Sequence, residues 1–386
     1  MLTEQFSRQS PGRLVQAGEG SAGYWAFVPH PLPPPLDLRD PELWRELSQA
    51  DRALGELAGL SRTIPNPRLF VRPFIHREAV LSSRIEGTRT DLNGLYAFEA
   101  AGAPAAGKAD DDTREVHNYV LALDRGVEML TAAAADRKLI LALHEVLMRG
   151  VRGERAAPGR FRTEQNWVGP ANSTVFDATY VPPPPEEMPG SVTEFERYLA
   201  DPNTYPPLVR LALLHYQFEA IHPFRDGNGR VGRLLVSLLL VHWQLLPAPV
   251  LYLSAFFEQH RREYYDLLLG VTLRGAWREW LRFFLLGVAT QAKDAVDRAK
   301  RLHDLHQDYR QRLRKERVSG LALDITDALF ENPAVTGNQV AASFGVSHQA
   351  AMAALRRLEK AGILAVAPGT KRNRIHQAHE ILTILE

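Results

Sequence analysis

The interpretation of this chain begins with His222-Pro223-Phe224-Arg225-Asp226-Gly227-Asn228-Gly229-Arg230-Val231-Gly232-Arg233. These twelve residues lie between two apolar stretches, 207–221 and 234–241, that carry helical patterns. Pro223 disfavours helical dihedrals at His222, so the first helix is expected to end there and to leave the imidazole at a bend facing a cleft. The segment therefore predicts two helices joined by a tight turn that displays a histidine.

The turn has the composition of a phosphate site. Gly227 to Gly229 tolerate positive φ and let backbone N–H groups converge on an anion at the start of the second helix. Arg230 and Arg233 are three residues apart, so we expect them on one face of its first turn, where cations oppose the helix dipole unless an anion is bound. Asp226 supplies one oxygen, too few to cage a metal alone but suited to Mg²⁺ that arrives with nucleotide phosphates.

The twelve residues match every specified position of the Fic family signature, His-Pro-Phe-x-Asp/Glu-Gly-Asn-Gly-Arg-x-x-Arg, and the chain resembles that family. A lone His-Pro or Gly-Asn-Gly is more often structural, but the complete motif favours the functional interpretation. The resemblance implies transfer of AMP from ATP to a Ser, Thr or Tyr hydroxyl of a target protein or of the chain itself. It implies that His222 is the general base and Asp226 the Mg²⁺ ligand, with ATP bound by Gly227, Asn228, Gly229, Arg230, Val231, Gly232 and Arg233.

Two other functions stay open at this point. Some members of the family move phosphocholine or a phosphoryl group, although Arg233 with an opposing glutamate favours a nucleoside triphosphate in the pose for AMP transfer. The other alternative belongs to a different class of protein, a DNA-binding regulator whose nucleotide site acts as a sensor.

A second match to the family lies upstream, at Ser82-Ser83-Arg84-Ile85-Glu86-Gly87, which fits the inhibitory pattern Ser/Thr-x-x-x-Glu-Gly/Asn. Glu86 falls near a helix C-terminus, where a carboxylate gains nothing from the dipole unless a cation faces it. The resemblance supplies Arg233 as that cation, so Glu86 would block the γ-phosphate position and inhibit the enzyme. A solvated helix-end glutamate is the alternative. In some relatives this glutamate also orients a water that removes AMP, and that activity is left open.

The segment 159–185 predicts a β-hairpin. It resembles the family flap, which pairs with an extended target by strand addition, and Thr174 to Tyr180 would dock the target. An ordinary surface hairpin is the alternative. The resemblance also places Tyr265 against adenine or ribose, although adjacent aromatics such as Tyr264 and Tyr265 are more often core residues.

The chain length of 386 residues predicts more than one structural unit in a mostly α fold. We expect an N-terminal helical region at 1–110, irregular up to the Pro-rich stretch 29–35 and containing the inhibitory helix. The resemblance implies a Fic-type helical core with a small hairpin flap at 111–317. The element order of 318–386 predicts a winged helix-turn-helix.

The C-terminal unit is a candidate DNA reader, with Ser347 to Met352 opening a recognition helix and Lys371, Arg372 and Arg374 on the wing. Residues 321–386 nevertheless hold six basic and six acidic side chains, and winged helices also serve in protein docking or dimer formation. DNA binding and a homodimer are both left open. The segment 298–317 has eight basic and three acidic residues, either a phosphate-facing stripe or a solvated helix face.

Composition and charge exclude several kinds of partner and of chemistry. A net charge of +1 excludes general electrostatic attraction to nucleic acid or anionic membrane. With no cysteine there are no disulfides, thiolate metal sites or cysteine nucleophiles. No signal-peptide pattern or membrane-length apolar run is present, so we expect a cytoplasmic protein without a membrane anchor.

Overall fold

A computed structural model describes residues 3–18, 20, 23–63, 68–102, 111–151, 157–201, 205–315, 320–367 and 374–386. The fold is mostly helical, as predicted. None of the described helices combines the length and the apolar character needed to cross a membrane. Lys371 and Arg372, predicted to lie on the wing, fall outside the described residues.

The first regular element is an antiparallel hairpin, so the expectation of an irregular opening segment was wrong. Strand β1 (Gly12–Ala17) pairs with β2 (Tyr24–Pro29) along six residues. The backbone N–H of Phe27 donates to the carbonyl of Val181 at 2.9 Å. The hairpin is thus anchored to a segment some 150 positions away, a partner that no local pattern in the sequence reveals.

Three helices complete the N-terminal region: α1 (Pro41–Thr63), α2 (Arg68–Ile85) and α3 (Leu92–Ala100). Helix α2 ends where the sequence predicts, and Gly87 follows with φ +101°, a conformation that favours glycine. Helix α3 was not anticipated, although Asp91 caps it by accepting from the N–H of Gly94 at 2.7 Å.

The described part of the central region contains eight helices: α4 (Asp111–Ala132), α5 (Arg137–Leu147), α6 (Met188–Ala200), α7 (Pro207–Ile221), α8 (Asn228–His242), α9 (Ser254–Gln259), α10 (Arg261–Arg274) and α11 (Trp277–Lys315). Nearly all of α7 and α8 is buried, and the two helices pack against each other in the middle of the core. Helices α9 and α10 are separate because His260 between them has non-helical dihedrals. Burial on nearly all sides therefore fixes the path of the chain through α7, the turn and α8.

The predicted hairpin at 159–185 is reduced to one antiparallel residue pair. Val168 and Tyr180 exchange two backbone hydrogen bonds, at 2.8 and 2.9 Å, and no other ladder forms there within 157–185. Proline at 170 and at 182–185 removes the N–H groups that a longer ladder needs. We call this segment, 157–185, the flap.

The C-terminal unit runs α12 (Gly320–Leu329), β3 (Ala334–Thr336), α13 (Gly337–Phe344), α14 (His348–Lys360), β4 (Ala365–Val366), β5 (Ile375–Gln377) and α15 (His379–Leu385). The strands form one antiparallel sheet in the order β3-β5-β4. Strand β3 and helix α15 were not anticipated. The helix and hairpin order is the one on which the winged-helix prediction rests, and that assignment stays a prediction.

Candidate active site

The turn between α7 and α8 is held in an unusual backbone conformation. His222 has φ 49° and ψ 58°, in the left-handed region that few residues other than glycine adopt, and Gly227 follows with φ 79°. The side chain of Asn228 closes the turn, since its Oδ1 accepts from the N–H of Phe224 and its Nδ2 donates to the carbonyl of Phe224, both at 2.8 Å. The helix therefore ends at the histidine, as the His-Pro step predicted.

The imidazole of His222 makes a hydrogen bond through one ring nitrogen. Its Nδ1 lies 3.2 Å from the carbonyl of Glu219, which requires Nδ1 to be the donor and leaves Nε2 with a free lone pair. Burial lowers the pKa of His222 to about 4, so the ring is neutral at pH 7. His222 is only half-buried and lies on the wall of a cleft.

The cleft has a volume of about 590 Å³, within the usual range of small-molecule sites. It is lined by Glu86, by flap residues 167–170, 179 and 180, by Tyr216, Glu219, Ala220 and His222, by Gly229 and Arg233, and by Arg261, Tyr264, Tyr265, Asp266, Leu268, Leu269 and Thr272. Among the predicted site residues it brings together Glu86, His222, Gly229, Arg233 and Tyr265. Ser82, Asp226, Gly227, Asn228, Arg230, Val231 and Gly232 are not part of its lining.

Arg233 is the central charge of the cleft. Its Nη2 donates to Oε1 of Glu86 at 2.6 Å and to the carbonyl of Ser82 at 3.0 Å, while its Nε donates to Oγ of Ser82 at 2.8 Å. The Arg233 side chain is 2% exposed and that of Glu86 is 32% exposed. Burial raises the pKa of Glu86, but the charge and the hydrogen bond of Arg233 outweigh it, so the net direction is downward. The two ends of the predicted inhibitory pair are in direct contact.

Arg230 is not part of the cleft lining, whereas Arg233 is, so the two arginines do not form one binding surface as expected. Its Nη1 donates to Oε2 of Glu115 on α4 at 3.0 Å, and both side chains are buried. Its Nη2 lies 3.6 Å from Oδ1 of Asp226. Arg230 thus contacts the turn through Asp226, and its side chain is held in place by the buried carboxylate of Glu115 on α4.

Asp226 and the start of α8 remain open to a ligand. The Asp226 side chain is 57% exposed, and its Oδ1 accepts from the N–H of Gly227 at 2.6 Å. No side chain caps the N-terminus of α8 among the described residues, and the first N–H groups of a helix have no partner within it. No group of three or more His, Asp or Glu side chains suited to a metal occurs in the described residues. One exposed carboxylate fits Mg²⁺ only if phosphate oxygens complete its coordination.

The adjacent tyrosines both line the cleft but differ in how much of their surface is exposed. Tyr264 is buried and its hydroxyl lies 2.8 Å from Nε2 of His215. Tyr265 is 38% exposed and lines the cleft. Only Tyr265 therefore has the accessible ring surface that a base or ribose contact requires.

Two residues at the site, Glu219 and His144, were not predicted from the sequence. Glu219 lines the cleft, its Oε1 is buried without a hydrogen-bond partner among the described residues, and burial raises its pKa to about 8. The sequence does distinguish Glu219, because it is the only acidic residue in the apolar helix α7. His144 stacks on Phe224 with ring centroids 3.8 Å apart and contacts the carbonyl of Asp226 at 3.1 Å. Nothing local in the sequence distinguishes His144 from a core histidine.

Comparison with known families places this site in a defined class. The sequence model described as Fic/DOC family N-terminal matches residues 44–128, and the model described as Fic/DOC family matches residues 134–240. The chain belongs to the Fic/DOC family.

Named relatives support the same assignment. The chain is 30% identical to Protein adenylyltransferase Fic of Aedes aegypti over 205 residues, 52% of this chain and 37% of that protein. It is 30% identical to the protein of the same name from Nematostella vectensis over 209 residues, 52% of this chain and 44% of that protein. The chain spans less than half the length of these two relatives.

Solved structures show the shared fold. A Fic family protein from Desulfovibrio desulfuricans G20 superposes with a TM-score of 0.58 at 21% identity, covering 90% of this chain and 98% of that one. Fic-1 (residues 134–508) from C. elegans gives 0.51 at 22% identity, covering 67% and 74%. The first of these extends the similarity of fold over most of the chain.

Proposed function

We propose that this protein is a protein adenylyltransferase that transfers AMP from ATP to a Ser, Thr or Tyr hydroxyl of a target protein or of itself. One observation carries the proposal: the free Nε2 side of His222, the guanidinium of Arg233 and Gly229 at the start of α8 meet in one cleft. The relatives named above bear the same activity in their names.

In the proposed reaction His222 acts as the general base. Its Nε2 takes the proton of the target hydroxyl as that oxygen attacks the α-phosphorus, and the bond from the α-phosphorus to the bridging oxygen breaks. Pyrophosphate leaves with that oxygen and with both bonding electrons, and the target keeps AMP. The neutral imidazole at pH 7 suits this task.

The phosphates would be bound by the first turn of α8. The backbone N–H groups of Asn228, Gly229 and Arg230 start the helix, whereas that of Val231 already donates to the carbonyl of Gly227 at 3.0 Å. Arg233 supplies a fork for the terminal phosphate once Glu86 leaves. Arg230 would stabilise the turn through Glu115 and Asp226. Preorganised donors of this kind stabilise charge that develops in the transition state.

Asp226 is the residue that would hold Mg²⁺, and Mg²⁺ would supply neutralisation of the triphosphate charge. Tyr265 is the proposed contact for adenine or ribose, on the wall of the cleft. Residues 174–180 of the flap are the proposed docking segment for the target. Phe176 there is 57% exposed, and Trp167 and Val168 nearby are 41% and 37% exposed.

Glu86 is the proposed inhibitor of this reaction. It occupies the Arg233 fork at 2.6 Å, so ATP can bind productively only when this ion pair opens. Ser82 holds Arg233 from the same helix. Removal of AMP is a second candidate activity of the same site, because the partly exposed Glu86 carboxylate faces the cleft that contains His222.

The direct test is incubation with Mg²⁺ and ATP labelled at the α-phosphate, followed by measurement of label in the protein. We expect self-labelling that rises in Glu86→Gly and is lost in His222→Ala. ATP labelled at the γ-phosphate should leave the protein unlabelled, which separates AMP transfer from phosphoryl transfer. Labelling that persists unchanged in His222→Ala would overturn the proposal.

The C-terminal unit offers DNA binding as a second candidate function. The observation in its favour is the exposed first turn of α14, residues 347–350. Against it, three arginines of the basic segment 298–317 already pair with protein carboxylates: Arg298 with Asp294, Arg310 with Asp327, and Arg312 with Glu380.

We propose domain boundaries at 1–110, 111–317 and 318–386 and a cytoplasmic location. We also propose that the C-terminal unit contacts either DNA or a second copy of the chain. Gel shift and light scattering distinguish those partners.

A further inference from the structure

Arg162 is a buried arginine in the flap whose described side-chain hydrogen bonds all go to main-chain carbonyl oxygens. Its Nε donates to the carbonyl of His222 at 2.9 Å, Nη1 to that of Glu164 at 3.2 Å and Nη2 to that of Pro183 at 2.5 Å. Arg162 is 6% exposed, and burial lowers its pKa to about 10, which leaves it charged at pH 7. One guanidinium therefore joins both arms of the flap to the residue proposed as the base.

The backbone of Arg162 strengthens the same connection. Its N–H donates to the carbonyl of Pro223 at 2.9 Å. Four residues later, Nδ2 of Asn166 donates to the carbonyl of Phe224 at 2.7 Å and approaches that of His222 at 3.4 Å. Three successive carbonyls of the turn between α7 and α8, from His222 to Phe224, thus accept hydrogen bonds from the flap.

The turn needs such support because the backbone of His222 has a left-handed conformation. A residue other than glycine keeps that conformation only where its surroundings hold it there. The side chain of His222 is fixed on one side by its own helix, through Nδ1 and the carbonyl of Glu219. Its main chain is fixed on the other side by Arg162.

We propose that Arg162 is a positioning residue for His222, setting the direction of the imidazole through the His222 carbonyl and linking it to the flap. The inference rests on the proposed function, because it assumes that His222 is the base. Arg162 does not line the cleft, so it acts through the backbone of His222 and has no role in binding ATP. The segment that would hold the target is consequently joined to the group that would deprotonate it.

The inference predicts a loss confined to the chemical step. Misplacement of a reacting group by about 1 Å costs on the order of 100-fold in rate. In full-length protein carrying Glu86→Gly, we expect Arg162→Ala to lower kcat by about that factor while the dissociation constant for ATP stays within about threefold. Arg160→Ala is the matched control, since Arg160 lies two residues away with an exposed side chain, and it should behave like the parent.

Two further readouts separate positioning from general support of the fold. Added guanidinium at millimolar concentration should restore part of the kcat of Arg162→Ala, because it refills the donor site. Arg162→Lys keeps the charge but has a single ammonium that does not span the separate carbonyls, so its kcat should stay low without addition.

The pH profile supplies the second of these readouts. Burial is the main cause of the low His222 pKa, and the charge of Arg162 lowers it further, whereas the Glu219 carbonyl, Glu86 and Asp226 raise it. The acid limb of the profile should therefore move to higher pH in Arg162→Ala and stay in place in Arg162→Lys. Both variants are compared in the same Glu86→Gly protein, so the contribution of Glu86 cancels.

The outcomes are distinguishable. If the Glu86→Gly parent itself fails to label, the proposed function is wrong. If the parent labels and Arg162→Ala keeps its kcat, or loses kcat and ATP binding together with a lowered Tm and no rescue by guanidinium, the positioning role is wrong. If Arg162→Ala does not fold, Arg162→Lys decides: a loss of kcat at unchanged ATP affinity supports the role, and an unchanged kcat overturns it.

Discussion

Gly229 lies so close to Glu86 that a Cβ at residue 229 would stand 2.4 Å from Oε1 of Glu86 and 2.9 Å from Nη1 of Arg233. The missing side chain therefore makes room for the ion pair as well as for any anion at the start of α8. In the proposed function, the Glu86–Arg233 ion pair and a productively bound triphosphate would use the same vacant volume and would exclude each other.

Glu86→Gly should raise self-labelling about tenfold or more, equivalent to about 1.4 kcal/mol, because the carboxylate no longer competes for the Arg233 fork. Incorporation of α-labelled AMP measures the effect. Arg84→Gly is the control, since it introduces glycine into the same helix end at an exposed position. An equal rise in self-labelling in the two variants would mean that loosening of α2 causes the effect, since glycine weakens a helix by about 1 kcal/mol. That result would contradict a specific inhibitory pair.

The pH dependence of the Glu86→Gly enzyme should reflect the low pKa of His222. The imidazole works as a base only when neutral, and burial lowers its pKa to about 4. We expect kcat/KM to stay level from about pH 8 to about pH 5 and to fall only as the pH approaches that value. Circular dichroism at each pH verifies folding. A half-loss of kcat/KM near pH 6.5, the ordinary histidine value, would contradict the buried environment assigned to this ring.

Ser82→Ala should weaken ATP binding, because Arg233 loses the hydroxyl that accepts its Nε hydrogen bond. The substitution leaves Nε of Arg233 buried without its 2.8 Å partner, a loss of about 1–3 kcal/mol. In the Glu86→Gly background we expect the KM for ATP to rise about tenfold or more, with a smaller change in kcat. Ser83→Ala is matched to it, because Oγ of Ser83 is buried without a partner among the described residues. A similar KM in both variants would argue against Ser82 as the support of Arg233.

Gly126→Ala tests the packing of α4 against the helices of the site. A Cβ there would lie 2.5 Å from Cδ1 of Leu238 on α8 and 3.0 Å from Cδ2 of Leu143 on α5. Overpacking costs about 1–3 kcal/mol and exceeds the gain in helix propensity, so Tm should fall by a few degrees. Gly59→Ala on α1, where nothing lies within 4 Å, should raise Tm slightly. Thermal unfolding of both variants gives the comparison.

The sequence predicted the elements that are set by local chemistry. The ends of α2 and α7 follow from Gly87 and from the His-Pro step, and both lie where expected. The contact between Glu86 and Arg233, 147 positions apart, was expected from family resemblance and not from any pattern in the residues between them.

Features set by distant partners could not be predicted in this way. The β1–β2 hairpin is anchored to the carbonyl of Val181, and Arg230 is held by an ion pair with Glu115. The break at His260 carries no Gly or Pro signal. The predicted hairpin of the flap is limited to the pair Val168 and Tyr180, because prolines on both sides remove the N–H groups that further pairing needs.

The left-handed backbone at residue 222 has a practical consequence for the choice of an inactive enzyme. Alanine is poorly accommodated in that conformation, whereas asparagine adopts it more readily than most residues. A dead protein made with alanine would therefore also carry a deformed turn, and a partner that fails to bind it would have two explanations. His222→Asn removes the proposed proton acceptor and keeps the path of the main chain, so it is the better variant for capturing an unmodified target.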